Sequence, residues 1–115
     1  MTNIVYDERD GCFLLSAEGH AGYAEKGQED IVCASVSSFV CLYAKLVEEA
    51  AKQGKLKEFP VIRLEGGDAF ISAQPKPEEY ECFRRDFAIV MIGLRMVAEG
   101  YSENVKIFRG RGVTF

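Results

Sequence analysis

The stretch GHAGYAEKGQEDIVCASVSS, residues 19–38, decides how the rest of the chain is organised. It contains the only histidine, His20, and it also contains Cys33. The alternating apolar residues 13–17 before this stretch predict a half-buried strand, and the apolar spacing of three and four residues after it predicts a helix. We therefore expect His20 at the end of a strand and Cys33 in the first turn of a helix.

Asp30 is the expected N-cap of that helix. A carboxylate at this position accepts hydrogen bonds from the free backbone N–H groups of the residues that follow. Free N–H groups and the positive end of the helix macrodipole would then surround the sulfur of Cys33 and favour its thiolate form. This environment suits a nucleophile better than it suits a packing residue.

Length and composition indicate one domain that spans residues 1–115. The chain is 48% hydrophobic and contains eight phenylalanines, which is enough for a single modest core. The net charge of −4 and the absence of a basic run longer than Arg84-Arg85 argue against direct binding of nucleic acid. Residues 1–11 lack the apolar segment of a signal peptide, and no run reaches the ~20 apolar residues of a membrane span. A cytoplasmic protein without a membrane partner is expected.

The cysteines show no spacing typical of a metal site. They are Cys12, Cys33, Cys41 and Cys82. With no C-x-x-C pair and one histidine, the pattern disfavours zinc, and no metal or cofactor is expected. Cys33 and Cys41 lie on one predicted helix, about 12 Å apart, so they cannot form a disulfide. We expect all four thiols to be free, as in a reducing cytosol.

The apolar patterns and turn residues predict the order strand, strand, helix, strand, strand, helix, strand. The predicted ranges are 3–6, 12–19, 30–53, 59–65, 69–73, from 77 or 78 to about 100, and 105–108. This order indicates an α+β fold, a two-layer sandwich in which two long helices pack on a mixed or mostly antiparallel sheet of about five strands. The strand order within the sheet cannot be derived from these patterns.

The second helix carries more apolar surface than one sheet face can cover. Its main stripe is joined in its second half by Ile89, Met91, Ile92 and Met96 on other sides of the helix. Burial against a second subunit, in a homodimer, is the expected explanation.

A cysteine and a histidine that meet in space can carry out acyl transfer. Cys33 would be the nucleophile, His20 the general base and later the general acid, and the Cys33 backbone N–H an oxyanion donor. Ser37 lies one helical turn beyond Cys33, where its hydroxyl would reach the sulfur. Asp30 would cap the helix, steady the loop or orient His20, and the sequence does not choose between these roles. Glu18, on the same strand face as His20, is another candidate for orienting it.

The same residues also fit a protein without activity. A lone histidine is commonly a surface residue, and a helical cysteine among Ile, Val and Ala is commonly a small core residue. Residues 21–28 form a loop with glycines at Gly22 and Gly27. That loop fits an ordinary connector as well as it fits a mobile segment.

The combination of Gly19-His20-Ala21, the following loop, the run at residues 30–34 and Ser37 resembles the signature of the ribosomal-processing cysteine protease family, Prp. The resemblance implies that His20 and Cys33 form a catalytic dyad and that Asp30 and Ser37 are supporting polar residues. The loop would correspond to a segment that closes over substrate, with Gly22 and Gly27 as hinges. In one departure from the family pattern, Gly27 stands three residues before Asp30, where the family glycine stands two residues before it.

The resemblance also implies a substrate and an assembly. The family removes a short N-terminal extension from a large-subunit ribosomal protein precursor, after an aromatic pair, and forms homodimers. We therefore expect a cysteine endopeptidase whose substrate is that precursor. A noncatalytic ribosome-assembly or peptide-binding module is the alternative, and a thiol redox protein is disfavoured because no second cysteine is poised to resolve an oxidised Cys33.

Overall fold

A computed structural model describes residues 1–25, 28 and 30–110 of the chain. The elements are β1 (Thr2–Arg9), β2 (Cys12–Glu18), α1 (Ile31–Lys52), β3 (Val61–Glu65), β4 (Asp68–Ala73), a short 3-10 turn (Pro77–Glu79), α2 (Tyr80–Gly100) and β5 (Val105–Arg109). Two helices pack on a sheet of five strands. The predicted element order and the α+β two-layer sandwich are confirmed.

The sheet has the strand order β3-β4-β2-β1-β5. Neighbouring strands are antiparallel except β1 and β5, which are parallel, so the sheet is mixed. In the pairing of β2 with β4, Glu18 lies opposite Asp68. The last residue of β2 therefore lies beside the first residue of β4, and the chain that leaves β2 passes close to the β3–β4 turn.

The core lies between the sheet and the two helices. Val32, Val36, Val40, Tyr43, Ala44, Val47 and Ala50 are the buried residues of α1 and recur three or four positions apart. The hydroxyl of Tyr43 donates to the carbonyl oxygen of Phe13 at 2.9 Å, and the Phe13 ring packs against Phe83 and Phe87 of α2. These contacts fix α1 along β2.

The α1 helix begins and ends close to its predicted limits. Asp30 is its N-cap, and Gly54, just beyond its end, has the positive φ of 69° that glycine adopts without steric cost. By length and composition alone α1 could cross a membrane, with a mean hydropathy of 1.6, so the expectation that no segment reaches that threshold is wrong on this measure. This is weak evidence for a span, because the core helix of a globular fold meets the same criterion.

The α2 helix leaves part of its apolar surface uncovered, as predicted. Ile89, Ile92 and Met96 are each more than half exposed. Met91 does not belong to this group, because it is 2% exposed and packs in the core of the same chain. The assignment of Met91 to the uncovered surface is wrong, since the sheet and α1 cover a wider part of α2 than one stripe.

Candidate active site

His20 and Cys33 line the same cavity. It has a volume of about 140 Å³ and lies where the end of β2, the start of α1 and the β3–β4 turn meet. Ser37 also lines it, together with Cys41, Leu64, Glu65, Gly67, Asp68 and Ala69. Pockets for drug-sized ligands are typically ~300–1,000 Å³, so this cavity has room for one or two side chains rather than for a large cofactor.

A larger groove in the described residues lies elsewhere, between α2 and strands β1 and β5. Its volume is about 770 Å³, and its lining includes Arg84, Arg85, Arg95, Arg109 and Cys82. The groove contains no histidine, so its cysteine has no imidazole base beside it. The smaller cavity, which holds both His20 and Cys33, is therefore the candidate active site.

The β3–β4 turn supports the His20 ring. The Gly19 N–H donates to the Gly67 carbonyl oxygen at 2.8 Å, which ties the end of β2 to this turn. A Cβ atom on Gly67 would lie only 2.9 Å from Nε2 of His20 and 3.1 Å from its Cε1. Gly67 also has a φ of +76°, which L side chains rarely adopt. The positive φ favours glycine at this position, and a Cβ atom there would in addition displace the His20 ring, which is the end of an exposed side chain.

Gly67→Ala is expected to displace the His20 ring and to lower kcat/KM by about tenfold to a hundredfold, because small misplacements of a reacting group are costly. Gly54→Ala is the matched control, since Gly54 has a similar φ of +69° but a Cβ atom there would meet no neighbouring atom within 4 Å. Both variants should lose about 1–2 kcal/mol of stability from the positive φ. Equal kcat/KM values for the two variants would contradict a supporting role of Gly67.

Asp30 fills two of the three roles that the sequence left open. One carboxylate oxygen accepts from the N–H groups of Val32 at 3.0 Å and Cys33 at 2.9 Å, which caps α1. The other oxygen accepts from Tyr23 at 3.0 Å and Ala24 at 3.3 Å, which steadies the loop. Hydrogen bonds from backbone N–H groups hold the pKa of Asp30 below its ordinary value of 3.8. The Cys33 N–H has the largest effect, and the N–H groups of Ala24, Tyr23 and Val32 have smaller ones.

The backbone N–H of Cys33 is not available as an oxyanion donor in this structure. It donates to Asp30, and the Ala34 N–H donates to the Asp30 carbonyl oxygen at 3.0 Å. A capping carboxylate uses the same N–H groups that an oxyanion would need, so this role of the Cys33 N–H stays a prediction that requires Asp30 to release it. The negative charge of Asp30 also offsets the positive end of the helix macrodipole at the start of α1.

Asp30→Asn should retain the helix cap but release the loop. The amide oxygen of asparagine still accepts from Val32 and Cys33, whereas its NH₂ group would face the Tyr23 and Ala24 N–H donors. Hydrogen exchange of these two loop amides should become faster by about fivefold or more, while the first turn of α1 changes little. Asp30→Ala, the comparison variant, should lose protection in both places. Unchanged exchange at Tyr23 and Ala24 in Asp30→Asn would contradict this role.

The lowered pKa of Asp30 also sets a pH dependence. The folded protein binds this proton more weakly than the unfolded chain does, so stability falls as the carboxylate becomes protonated. Its contribution is fully present above a pH of about 4 and is lost as the pH falls through the folded-state pKa.

Two other sequence candidates take less direct positions. Ser37 is exposed and lines the cavity, but within the described residues no hydrogen bond joins its hydroxyl to the Cys33 sulfur. Glu18 is exposed and is not among the residues that line the cavity. The structure therefore places Ser37 at the site and leaves Glu18 outside it.

The beginning of the loop after His20 is tied to the rest of the fold. The Asn104 side-chain amide donates to the Ala21 carbonyl oxygen at 3.0 Å, and the Tyr23 ring meets the Tyr101 ring edge-on. Gly22 adopts a φ of +68°, as a hinge or a turn glycine would. Gly27, the other predicted hinge, lies outside the described residues. Closure of the loop over substrate stays a prediction.

The β3–β4 hairpin forms a wall of the site that was not predicted from the sequence. Leu64, Glu65, Gly67, Asp68 and Ala69 line the cavity, although none was selected as a functional residue. The Gly66-Gly67 pair was recognisable as a turn, but its position beside His20 depends on the pairing of β2 with β4.

All four cysteines are free thiols, which confirms that prediction. Among the described residues, no group of three or more His, Cys, Asp or Glu side chains is arranged to hold a metal ion. The chemistry that this cavity can supply is that of a thiol and an imidazole that line the same space.

Comparison with known proteins identifies a family. A family model described as cysteine protease Prp matches residues 1–106. No curated protein sequence matches the chain.

Several solved structures share the fold. One is the essential ribosomal processing protease Prp from S. aureus with a covalently linked product peptide, with a TM-score of 0.70 and 20% identity over 96% of this chain and 100% of that chain. The same protease with a substrate peptide gives a TM-score of 0.66 at 20% identity, again over 96% and 100% of the two chains. SMU.848 from Streptococcus mutans gives 0.65 at 23% identity, over 95% of this chain and 93% of that chain. At such identities, these structures establish the fold alone.

Proposed function

This chain belongs to the cysteine protease Prp family, and from that premise we propose that it removes the N-terminal extension of a large-subunit ribosomal protein precursor. His20 and Cys33 would form the catalytic dyad of this cysteine protease. The observation that carries the assignment is that the only histidine of the chain lines the same cavity as Cys33, in the first turn of α1, while Cys41, which also lines this cavity, lies eight residues further along the helix. His20 follows β2 and Cys33 lies in α1, so the presence of both in one cavity depends on the fold.

The proposed reaction proceeds in two halves. The imidazole of His20 takes the proton of the Cys33 thiol, and the thiolate attacks the scissile carbonyl carbon. When the C–N bond breaks, the imidazolium gives its proton to the leaving amine and a thioester remains on Cys33. Water then loses a proton to His20 and attacks the thioester, which releases the carboxyl product and restores the thiol.

The oxyanion of the tetrahedral intermediate needs a donor other than the Cys33 N–H in the arrangement described above. Either Asp30 releases that N–H when substrate binds, or another N–H group at the cavity takes the role. Asp30 and Ser37 are proposed as supporting residues, with Asp30 acting through the start of α1 and through the loop.

The proposed substrate rests on the family and on its relatives. The S. aureus structures describe a ribosomal processing protease with bound substrate and product peptides. A cavity for one or two side chains is also consistent with cleavage after a large residue, as the family resemblance implies. Such a substrate would place the protein in the cytoplasm.

Mass spectrometry of the ribosomal protein precursor, incubated with this protein, tests the proposed function. We expect one new N-terminus, at the end of the extension, and release of the extension as a peptide. Stable binding of the precursor without any cleavage would favour the noncatalytic peptide-binding alternative instead.

We also propose a homodimer. Ile89, Ile92 and Met96 form an exposed apolar strip along α2, and exposed apolar patches of this kind mark protein–protein interfaces. Sedimentation velocity over a range of protein concentrations should show a dimer, and a monomer at every concentration would contradict the proposal.

A further inference from the structure

We propose that the free edge of β3 binds the backbone of the substrate as an added strand and guides it into the cavity of His20 and Cys33. The inference rests on the proposed function, since the occupant is the extended precursor segment. β3 (Val61–Glu65) is the last strand on its side of the described sheet, and all of its residues except Ile62 are exposed. Exposed strand edges carry unpaired N–H and C=O groups that another extended chain can use.

The register shows which backbone groups of β3 are free. A two-residue turn joins β3 to β4, so its closing pair, Glu65 and Asp68, is a hydrogen-bonded pair. Bonded and non-bonded pairs alternate along antiparallel strands. Leu64 and Ile62 are therefore in non-bonded pairs, and their N–H and C=O groups point away from β4 toward the open edge.

The other hairpin gives the same result independently. The two-residue turn between β1 and β2 closes with the bonded pair Arg9 and Cys12. Because bonded and non-bonded pairs alternate, the N–H and C=O groups that β2 directs to β4 are those of Phe13, Leu15 and Ala17. On β4, the groups that point to β3 are then those of Asp68, Phe70 and Ser72. Both turns therefore indicate that the backbone N–H and C=O groups of residues 62 and 64 point to the open edge of the sheet.

The free edge leads directly to the candidate active site. Leu64 and Glu65 line the same cavity as His20 and Cys33, and the turn that follows them supports the His20 ring through Gly67. A peptide paired with residues 62 and 64 would therefore have its backbone at the mouth of the cavity. Because side chains alternate along a strand, every second peptide residue would face the cavity side.

The features of β3 favour a peptide over a second copy of this chain. The strand has only five residues and carries the charged side chains of Arg63 and Glu65, which are features that discourage edge-to-edge pairing of folded proteins. A flexible precursor extension can adopt the extended conformation without such a restriction. Because β3 leads into the cavity, a peptide paired with this strand would have its scissile bond held in position relative to His20 and Cys33.

Leu64→Pro tests the outward N–H of β3. Proline removes that donor without removing a bond between β3 and β4, and it is tolerated where an edge N–H faces solvent. Leu64→Ala is the matched variant, because it also loses the leucine side chain but keeps the N–H. We expect KM for a synthetic peptide of the precursor extension to be about fivefold to tenfold higher for Leu64→Pro than for Leu64→Ala, with similar kcat. Equal KM values in two folded variants would overturn the proposal.

A second measurement uses the unaltered protein, so it remains decisive if Leu64→Pro does not fold. Single N-methyl groups placed along the synthetic peptide should raise KM at alternate residues, because only every second peptide N–H points to β3. A uniform effect, or none, would overturn strand addition while cleavage of the unmodified peptide upholds the proposed function. No cleavage of the unmodified peptide would reject the proposed function and, with it, the substrate named here.

Discussion

Cys33→Ser is expected to abolish cleavage of the precursor peptide while leaving the fold intact. Serine is close to cysteine in size, and Cys33 is only partly buried, so packing at the start of α1 should survive. A hydroxyl is a far poorer nucleophile than a thiolate, so kcat should fall by more than about a thousandfold. Single-turnover assays together with peptide binding measure the effect, and binding should persist in the variant.

The other three cysteines provide the controls. The controls are Cys12→Ser, Cys41→Ser and Cys82→Ser. Cys12 and Cys82 lie outside the cavity that holds His20, and Cys41 lines it eight residues further along α1 than Cys33. The Cys12 sulfur lies 3.1 Å from the Ser72 hydroxyl, a contact that serine can also make. These variants should keep most of the activity. A Cys33→Ser protein within about tenfold of the parent, or ~1.4 kcal/mol of barrier, would refute the nucleophile assignment.

His20→Ala is expected to stop peptide cleavage and also to slow alkylation of Cys33 by iodoacetamide at neutral pH. In the proposed mechanism, His20 takes the thiol proton and its imidazolium stabilises the thiolate, and the variant would lose both effects. Because the capping carboxylate of Asp30 lies at the start of α1, the helix alone provides little compensation. Alkylation rates measured across pH should therefore shift to higher pH in the variant.

Glu18→Gln is the control for this experiment. Glu18 lies two residues before His20 but outside the cavity, so activity and alkylation should resemble those of the parent. If His20→Ala lost cleavage but left the alkylation profile unchanged, the two side chains would pair only when substrate is bound. That outcome would be compatible with the structure, in which no hydrogen bond among the described residues joins the His20 ring to the Cys33 sulfur. Retained cleavage would reject His20 as the base.

The local features of this protein were determined by the sequence alone. The apolar periods set the seven main elements and their order, and the Asp30 cap and Gly54 fixed the limits of α1 within a residue or two. These features are readable because helix periodicity, strand alternation and end caps depend on residues only a few positions apart. The resemblance of residues 19–38 added the family, which the match over residues 1–106 shows.

Tertiary structure decided what surrounds the two candidate catalytic residues. Pairing of β2 with β4 brings Gly67 under His20 and makes the β3–β4 hairpin a wall of the cavity, although some 47 positions separate the two residues (67 − 20). Strand pairing over such distances depends on how the whole core packs, and no local pattern encodes it. The burial of Met91 was decided in the same way, because it depends on which elements cover each side of α2 once the chain has folded.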